Sequence, residues 1–370
     1  MNTCPQCLNE TDSTHCVYCG IQLATPDRSD FPPVTWREIR DEFVRRLMIE
    51  DEWMVESEDS LTWWPGLVPQ KLYVSSRIEI EVDDVTETLI RVTVESELGQ
   101  ATDRAKALSV VADLMIDYPF GSFVVLDDNT VLAVASVAIY GYSRSLIGLI
   151  TEEALVQATF VQELAIKLAS DGVVESTFSS HPVSGRRDVM DELVQNIYGN
   201  EKFVPIHEEL VPMRELVREY WQKAILQGSV ELGFKNDEVT FVTDEDRFDC
   251  GVGWRDDEFC AQKFGPSLMV WNNLAQTQNQ LTDEEMNSLN LMIAFEFEYG
   301  LGHIGGVTQQ QLENWNAIQH VAVLPFYFLQ SGESGFEGAI MKGFNGILQA
   351  SASARYTFRL LNPETEPQPE

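Results

Sequence analysis

At 370 residues, 44% of them hydrophobic, the chain is too long for one ordinary core and suits two domains with small appendages. Its 59 acidic and 25 basic residues leave a formal charge of -34, which repels phosphate backbones and anionic membranes and excludes nucleic acid as the main partner. No apolar run approaches about 20 residues, and no basic stretch followed by an apolar one opens the chain, so the sequence predicts neither a spanning helix nor a signal peptide and a cytoplasmic location.

The first 19 residues hold four of the six cysteines. Cys4-Pro5-Gln6-Cys7 and Cys16-Val17-Tyr18-Cys19 are two knuckles in C-x2-C-x8-C-x2-C spacing, each aiming two thiolates at one point, and four thiolates suit tetrahedral zinc with no open position. Such a closed site is structural, because the metal folds a segment too short to fold alone. With Gly20 after the last cysteine and Leu23 to cover the site, residues 4–23 resemble the short prokaryotic zinc ribbon, although Leu8 stands where that family usually has glycine. His15 could replace a ligand or sit in a solvated loop.

Residues 1–24 are therefore expected as the ribbon and 25–33, rich in proline and mixed charge, as a linker. At 34 a domain begins. Thr35-Trp36-Arg37-Glu38 is a capping box, and Trp36, Ile39, Phe43 and Leu47 follow on one helical face. Strand-like runs come next at Leu61 to Trp64, Lys71 to Val74, Ile78 to Val82 and Ile90 to Val94, whose alternation implies a sheet with one buried face. A helix over Leu108, Val111, Ala112 and Met115 ends at Asp117-Tyr118-Pro119-Phe120-Gly121. Ser122 to Leu126 and Val131 to Ile139 then form a hairpin around Asp127-Asp128-Asn129. Thr151 is read as the N-cap of a last helix, Leu155 to Leu168, with Glu152 and Glu153 at the positive end of its dipole.

This order, with Tyr118, Pro119, Phe120, Gly121, Phe123, Asp127 and Asp128 as the carrying residues, resembles the type III secretion chaperone-like fold, including the YbjN-like bacterial proteins, over residues 34 to 172. Leu61 to Pro65 and Pro69-Gln70 are similar to segments of uncharacterised actinobacterial proteins of this type. After a connector, 173–207, containing a short helix over Asp188 to Ile197, the order recurs in 208–361. A helical stripe runs from Leu210 to Ala224, strands are expected at Val239 to Val242, Phe248 to Trp254 and Leu268 to Trp271, and a second stripe runs through Met286, Leu289, Ile293 and Phe297. Glu298 to Ile304 aligns with Asp117 to Phe123, 181 residues earlier, which points to an internal duplication. On that alignment Gly305 to Asn316 is an insertion, His320 to Gln330 is the second hairpin strand, and Phe336 to Ile347 is the last helix. Residues 362–370 read as a disordered tail.

The fold class expected is thus α+β: a Cys4 ribbon and two tandem chaperone-like domains. Local chemistry is sparse. Gly300-x-Gly302-x-x-Gly305 matches the dinucleotide fingerprint by letters, but a helix precedes it and no acidic residue follows at the required distance. Cys250 and Cys260 read as buried thiols, and the paired aspartates at turns as solvated carboxylates. No catalytic and no cofactor-binding residue is assigned apart from the zinc ligands Cys4, Cys7, Cys16 and Cys19. The leading expectation is a non-enzymatic protein-binding chain that holds a polypeptide, basic in kind, as a monomer whose tandem domains form a pseudo-dimer, because the family it resembles works as dimers. The alternatives are an enzyme with an unrecognised site in the second domain and a ribbon-led adaptor of transcription or translation machinery. Trp63 and Trp64 are the candidate partner contacts, since neighbours on a strand face opposite ways and one of the two should be exposed. Packing in the core or connector is the ordinary alternative for both.

Overall fold

The structure, a computed structural model, describes residues 2–3, 10–11, 32–82, 85–118, 121–139, 141, 144–176, 178–198, 230–235, 238–243, 248–255, 267–277, 279–296, 302–303, 305–311 and 316–325. It is a mixed α+β molecule built on antiparallel sheets. At the N-terminus β1 (Asn2–Thr3) pairs with β2 (Glu10–Thr11), Thr3 opposite Glu10. The stripe from Leu210 to Ala224, the segment from Phe336 to Ile347, the linker up to residue 31 and the C-terminal tail lie outside the described residues.

In the first unit Thr35 caps α1 (Trp36–Leu47) as its sequence requires. The Glu38 N–H donates to the Thr35 hydroxyl (3.3 Å), and the Thr35 N–H donates to the Glu38 carboxylate (2.7 Å). Ile39, Phe43 and Leu47 are buried from this helix, each such side chain contributing about 1.5–3 kcal/mol. Four antiparallel strands follow in a meander: β3 (Met54–Ser57), β4 (Ser60–Trp63), β5 (Gln70–Val82) and β6 (Val85–Ala101). The two runs Lys71 to Val74 and Ile78 to Val82 are one strand, interrupted by a bulge between Val74 and Ser76. The extra residue reverses the side-chain phase: Val74 lies opposite Val92 on the core face, whereas Ile78 lies opposite Leu89 on the other.

Helix α2 (Arg104–Asp117) starts at Asp103, whose carboxylate accepts from the Lys106 N–H (3.2 Å). The hairpin β7 (Ser122–Val125) and β8 (Thr130–Ile139) turns through Asn129 in the left-handed region (φ 68°), with the Thr130 N–H donating to Asp128. β8 then pairs along β6. Helix α3 (Ser145–Ser170) begins six residues before the expected Thr151. Thr151 is not a cap: its hydroxyl donates to the Ile147 carbonyl (2.7 Å) from inside the helix, because buried Leu146, Ile147, Leu149 and Ile150 extend the helix upstream. After β9 (Val174–Glu175), which pairs with the end of β6, the connector carries α4 (Glu192–Tyr198).

A second sheet of six described strands has the order β10 (Val230–Lys235), β11 (Glu238–Thr243), β12 (Phe248–Arg255), β13 (Ser267–Thr277), β16 (Asn316–Pro325), β15 (Gly306–Gln311). Between β13 and β15 lies α5 (Asp283–Leu291), running into a π-helical turn, Met292–Glu296. Both sheets therefore follow one path: a four-strand meander, a helix, and a hairpin whose second strand returns beside the last meander strand. Two details correct the sequence alignment. The stretch read as an insertion, Gly305 to Asn316, contains β15, the first hairpin strand, and the second starts at Asn316 instead of His320. Ser122 pairs with Val134 and Gly306 with Val321 at the openings of the two hairpins, so Gly121 corresponds to Gly305, three residues beyond the aligned Gly302. Both glycines press on the facing strand: a Cβ would stand 2.8 Å from the Val134 carbonyl oxygen at Gly121 and 2.1 Å from that of Val321 at Gly305. The ladder, not the letters around Tyr118 and Tyr299, sets the correspondence.

The sheets are joined. A short strand, β14 (Gly302–His303), pairs with β8 at Val137 and Ser136, just beyond the part of β8 that holds β7. Four residues further on the same chain has crossed to pair with β16. Ala322 and Val323 of β16 are buried in the core of the first unit, and Ala294 of the π-helical turn is buried with Val124, Leu132 and Val134 on the outer face of the first sheet. Leu274, Met286, Leu289, Ile293, Val307 and Ile318 form a core of their own in the second unit.

Candidate functional site

Where the edge strands β7 and β15 approach each other, α5 lies over both. Its stripe of Met286, Leu289 and Ile293 is interrupted by two buried asparagines, Asn287 and Asn290, one helical turn apart. The Val125 N–H donates to Asn287 Oδ1 (2.8 Å), and Asn287 Nδ2 donates to the Val125 carbonyl (2.9 Å). The Val307 N–H donates to Asn290 Oδ1 (2.9 Å), and Asn290 Nδ2 donates to the carbonyls of Val307 and Met286 (3.1 Å each). A side-chain amide has the donor and acceptor of a peptide unit, so each asparagine stands in for one residue of a neighbouring strand. Without them the edge groups of Val125 and Val307 would be buried without partners, a cost of about 1–3 kcal/mol apiece. Ser122 on β7 adds a bond to the Gly305 carbonyl (3.2 Å), and Arg104 at the start of α2 pairs with Glu284 on α5 (2.9 Å).

Beside this junction α2 and α5 leave a cleft of about 290 Å³. One wall is the α2 face of Ser109, Ala112, Asp113 and Ile116, the other the α5 face of Asp283, Met286, Asn287 and Asn290, each series at helical spacing. Leu108, Val111, Met115 and Val307 make the floor. Met115 is fixed from both sides: its sulfur accepts from the Phe123 N–H (3.0 Å), and its methyl lies so close to Gly306 that a Cβ there would meet it at 1.5 Å. At one end Gln309 Oε1 accepts from the Leu281 N–H (2.8 Å) and holds the loop before α5. Asp113 and Asp283 are exposed on the two rims, and Ile116 is 53% exposed between cleft and solvent.

A second polar feature lies inside α3. Because the helix starts at Ser145, Glu152 and Glu153 fall two turns into it, away from the helix dipole's positive end. Glu152 meets Arg46 of α1 (3.1 Å), whose guanidinium rests on Gly148, yet burial outweighs that charge and pushes its carboxyl up to about 7. Glu153 is 0% exposed, neither oxygen has a hydrogen-bond partner, and burial, reinforced by the neighbouring Glu152, drives its carboxyl well above the usual range. On the sheet side of the same helix the polar groups bond one another in part: Gln70 Nε2 donates to Gln157 (2.9 Å) and the Ala154 carbonyl (3.0 Å), and the Ser96 hydroxyl donates to Gln157 (3.1 Å), while Gln70 Oε1 has no partner among the described residues.

Trp63 and Trp64 are both buried, 0% and 5% exposed, and neither offers a face to a partner. Alternation fails because β4 ends at Trp63. Trp64 leaves the strand and is covered by the connector, donating its Nε1–H to the Ser179 carbonyl (2.9 Å) and packing edge-on against His181, centroids 4.9 Å apart. This part of the connector is a docked loop. Arg187 donates to the Trp64 carbonyl (2.7 Å), pairs with Asp191 and Glu50, and lies over the Trp53 ring (4.8 Å). His181 Nδ1 accepts from the Ser184 N–H (2.9 Å), closing a turn.

Cys4, Cys7, Cys16 and Cys19 lie outside the described residues, as does Cys260. The described flanks of the first knuckle are β1 and β2, whose pairing brings the chain together on either side of Cys4 to Cys7. Four cysteine thiolates in that spacing would make a donor set suited to zinc. Among the described residues no group of three or more His, Cys, Asp or Glu could hold a metal ion, and no helix is long and apolar enough to cross a membrane. The asparagine pair and the cleft escaped the sequence reading. The available signal was two amides at i and i+3 inside an apolar stripe.

No protein-family model matches this chain, and neither a curated protein nor a solved structure matches it.

Proposed function

We propose that this chain is a non-enzymatic, cytoplasmic protein-binding protein, chaperone-like or adaptor in kind, that holds a polypeptide. In this reading residues 34–172 and 208–361 are tandem chaperone-like units acting as the two halves of a pseudo-dimer within a monomer. Cys4, Cys7, Cys16 and Cys19 hold a structural zinc ion at the tethered N-terminus. The single observation that carries the reading is the cleft between α2 and α5, with an apolar floor and two exposed acids, neither in an ion pair among the described residues, at the place where the two similarly wound sheets meet. The shared strand path and the matching glycines Gly121 and Gly305 support a duplication. A net charge of -34 favours a basic client and keeps the holder soluble.

The test is suppression of aggregation. Full-length chain added in equimolar amount to reduced, unfolding lysozyme, a basic client, is expected to lower light scattering, and a chain that leaves scattering unchanged contradicts the reading. Zinc is tested separately. Metal analysis of protein purified without chelator should find about one zinc per chain. The double change Cys4→Ser and Cys19→Ser should remove it while the melting transition of residues 34–361 persists. Protein that holds no zinc under reducing conditions contradicts the ribbon.

A further inference from the structure

Building on that polypeptide-holding reading, we propose that the α2/α5 cleft is the seat of the client, and that it takes one apolar side chain of leucine or methionine size from a segment carrying lysine or arginine beside it. The volume, about 290 Å³, sits at the lower limit of small-molecule pockets, roughly 300–1,000 Å³, and suits one or two side chains instead of a cofactor. The lining sorts by depth. Leu108, Val111, Met115 and Val307 make an apolar floor, and Met286 on the wall is an unbranched side chain that adapts its shape to what it meets. Asn287 and Asn290 already spend their amides on strand edges and Gln309 its oxygen on the Leu281 N–H, while Ser109, Gln280 and Thr308 add polar groups to the same lining.

Charge selects the occupant. Asp113 on α2 and Asp283 on α5 both line the cleft and are exposed, and among the described residues neither is in an ion pair. The basic residues of α2 are turned away: Arg104 binds Glu284 and the Leu126 carbonyl, and Lys106 donates to the carbonyls of Asp171 and Gly172. The mouth thus repels phosphates and acidic peptides and attracts a cation flanking the buried side chain. Ile116, exposed at the rim, extends the apolar track along the segment.

The probe is a fluorescein-labelled hexapeptide of alternating lysine and leucine, measured by anisotropy against the full chain at low salt, with glutamate–leucine and lysine–serine hexapeptides as controls. Binding of the lysine–leucine peptide alone supports the proposal. Ser109→Trp, an exposed wall position that fills the cleft, is expected to weaken binding by about tenfold or more. Asp113→Asn with Asp283→Asn should weaken it about tenfold and flatten its salt dependence. Both variants should keep the wild-type melting transition and circular dichroism. Equal binding of the glutamate–leucine peptide, unchanged affinity in both variants, or no binding of the lysine–leucine peptide overturns the proposal. The lysozyme assay separates this failure from that of the broader reading: variants that lose the peptide but still suppress aggregation place the holding surface elsewhere and also overturn it, whereas a wild-type chain that suppresses nothing removes the holder itself.

Discussion

Asn287 and Asn290 on α5 and Glu153 on α3 are all buried polar side chains, and they behave in opposite ways. On α5 the amides of Asn287 and Asn290 reach backbone groups that would otherwise go unpaired, one on each sheet. On α3 the Glu153 carboxyl reaches nothing. Burial is nearly the same, so the difference lies in what surrounds the group: a polar side chain stabilises when it completes another group's hydrogen bonds and destabilises when it brings only its own desolvation. The asparagines also sit where α2 of the first unit has apolar residues. Counting from the N-caps Asp103 and Thr282, Asn287 and Asn290 occupy the positions of Leu108 and Val111, which pack in the first core. Two helices in corresponding places thus do different work: α2 closes its own core, and α5 closes the edges of both sheets.

The largest effect should come from breaking that closure. Asn287→Leu leaves the Val125 N–H and C=O buried without partners and is expected to cost about 2–4 kcal/mol, read as a lowered urea midpoint with an unchanged m-value. Next is Gly306→Ala, whose new methyl would overlap the Met115 methyl and cost about 1–3 kcal/mol. Adding Met115→Ala should recover part of that loss, because it removes the atom in the way, and strict additivity in the double mutant would contradict the contact.

Glu153 sharpens the comparison with the opposite sign. Glu153→Leu should raise stability by about 1–3 kcal/mol, since no partner is lost. Both α3 carboxyls are raised in the folded state, so the folded chain binds more protons than the unfolded one above the ordinary carboxyl range. Their contribution is therefore most favourable at low pH and is lost as pH rises from about 4.5 through the value near 7 of Glu152 and beyond. Urea midpoints measured across that window should fall less steeply in Glu153→Leu than in the wild type. Smallest is Arg104→Met: its pair with Glu284 is partly exposed, and its loss should cost under about 1 kcal/mol and less at high salt.

How much of this was legible follows from where local rules apply. The Thr35 capping box, the Asp127-Asp128-Asn129 turn and the hairpin around it were readable because their partners lie within a few residues. The start of α3 was not, because a helix buried on nearly every side loses its amphipathic period and Thr151 imitates a cap. The Ser75 bulge hid the length of β5 by reversing its alternation. Trp64 was placed by a strand rule one residue after the strand had ended. Asn287 and Asn290 bond residues 162 and 17 positions away, and no local pattern announces a helix that serves two sheets.

The central claim is that α5 locks the two sheets into one body through those amides, and amide hydrogen exchange at Val125 tests it most directly. Val125 is on an edge strand, and its N–H is bonded only as far as Asn287 reaches it. The account predicts slow exchange of this amide in the full chain, and exchange accelerated about tenfold or more in Asn287→Ala, while Val134, on β8 between β7 and β6, stays protected. Val125 exchanging in the wild type as fast as an open edge would contradict it.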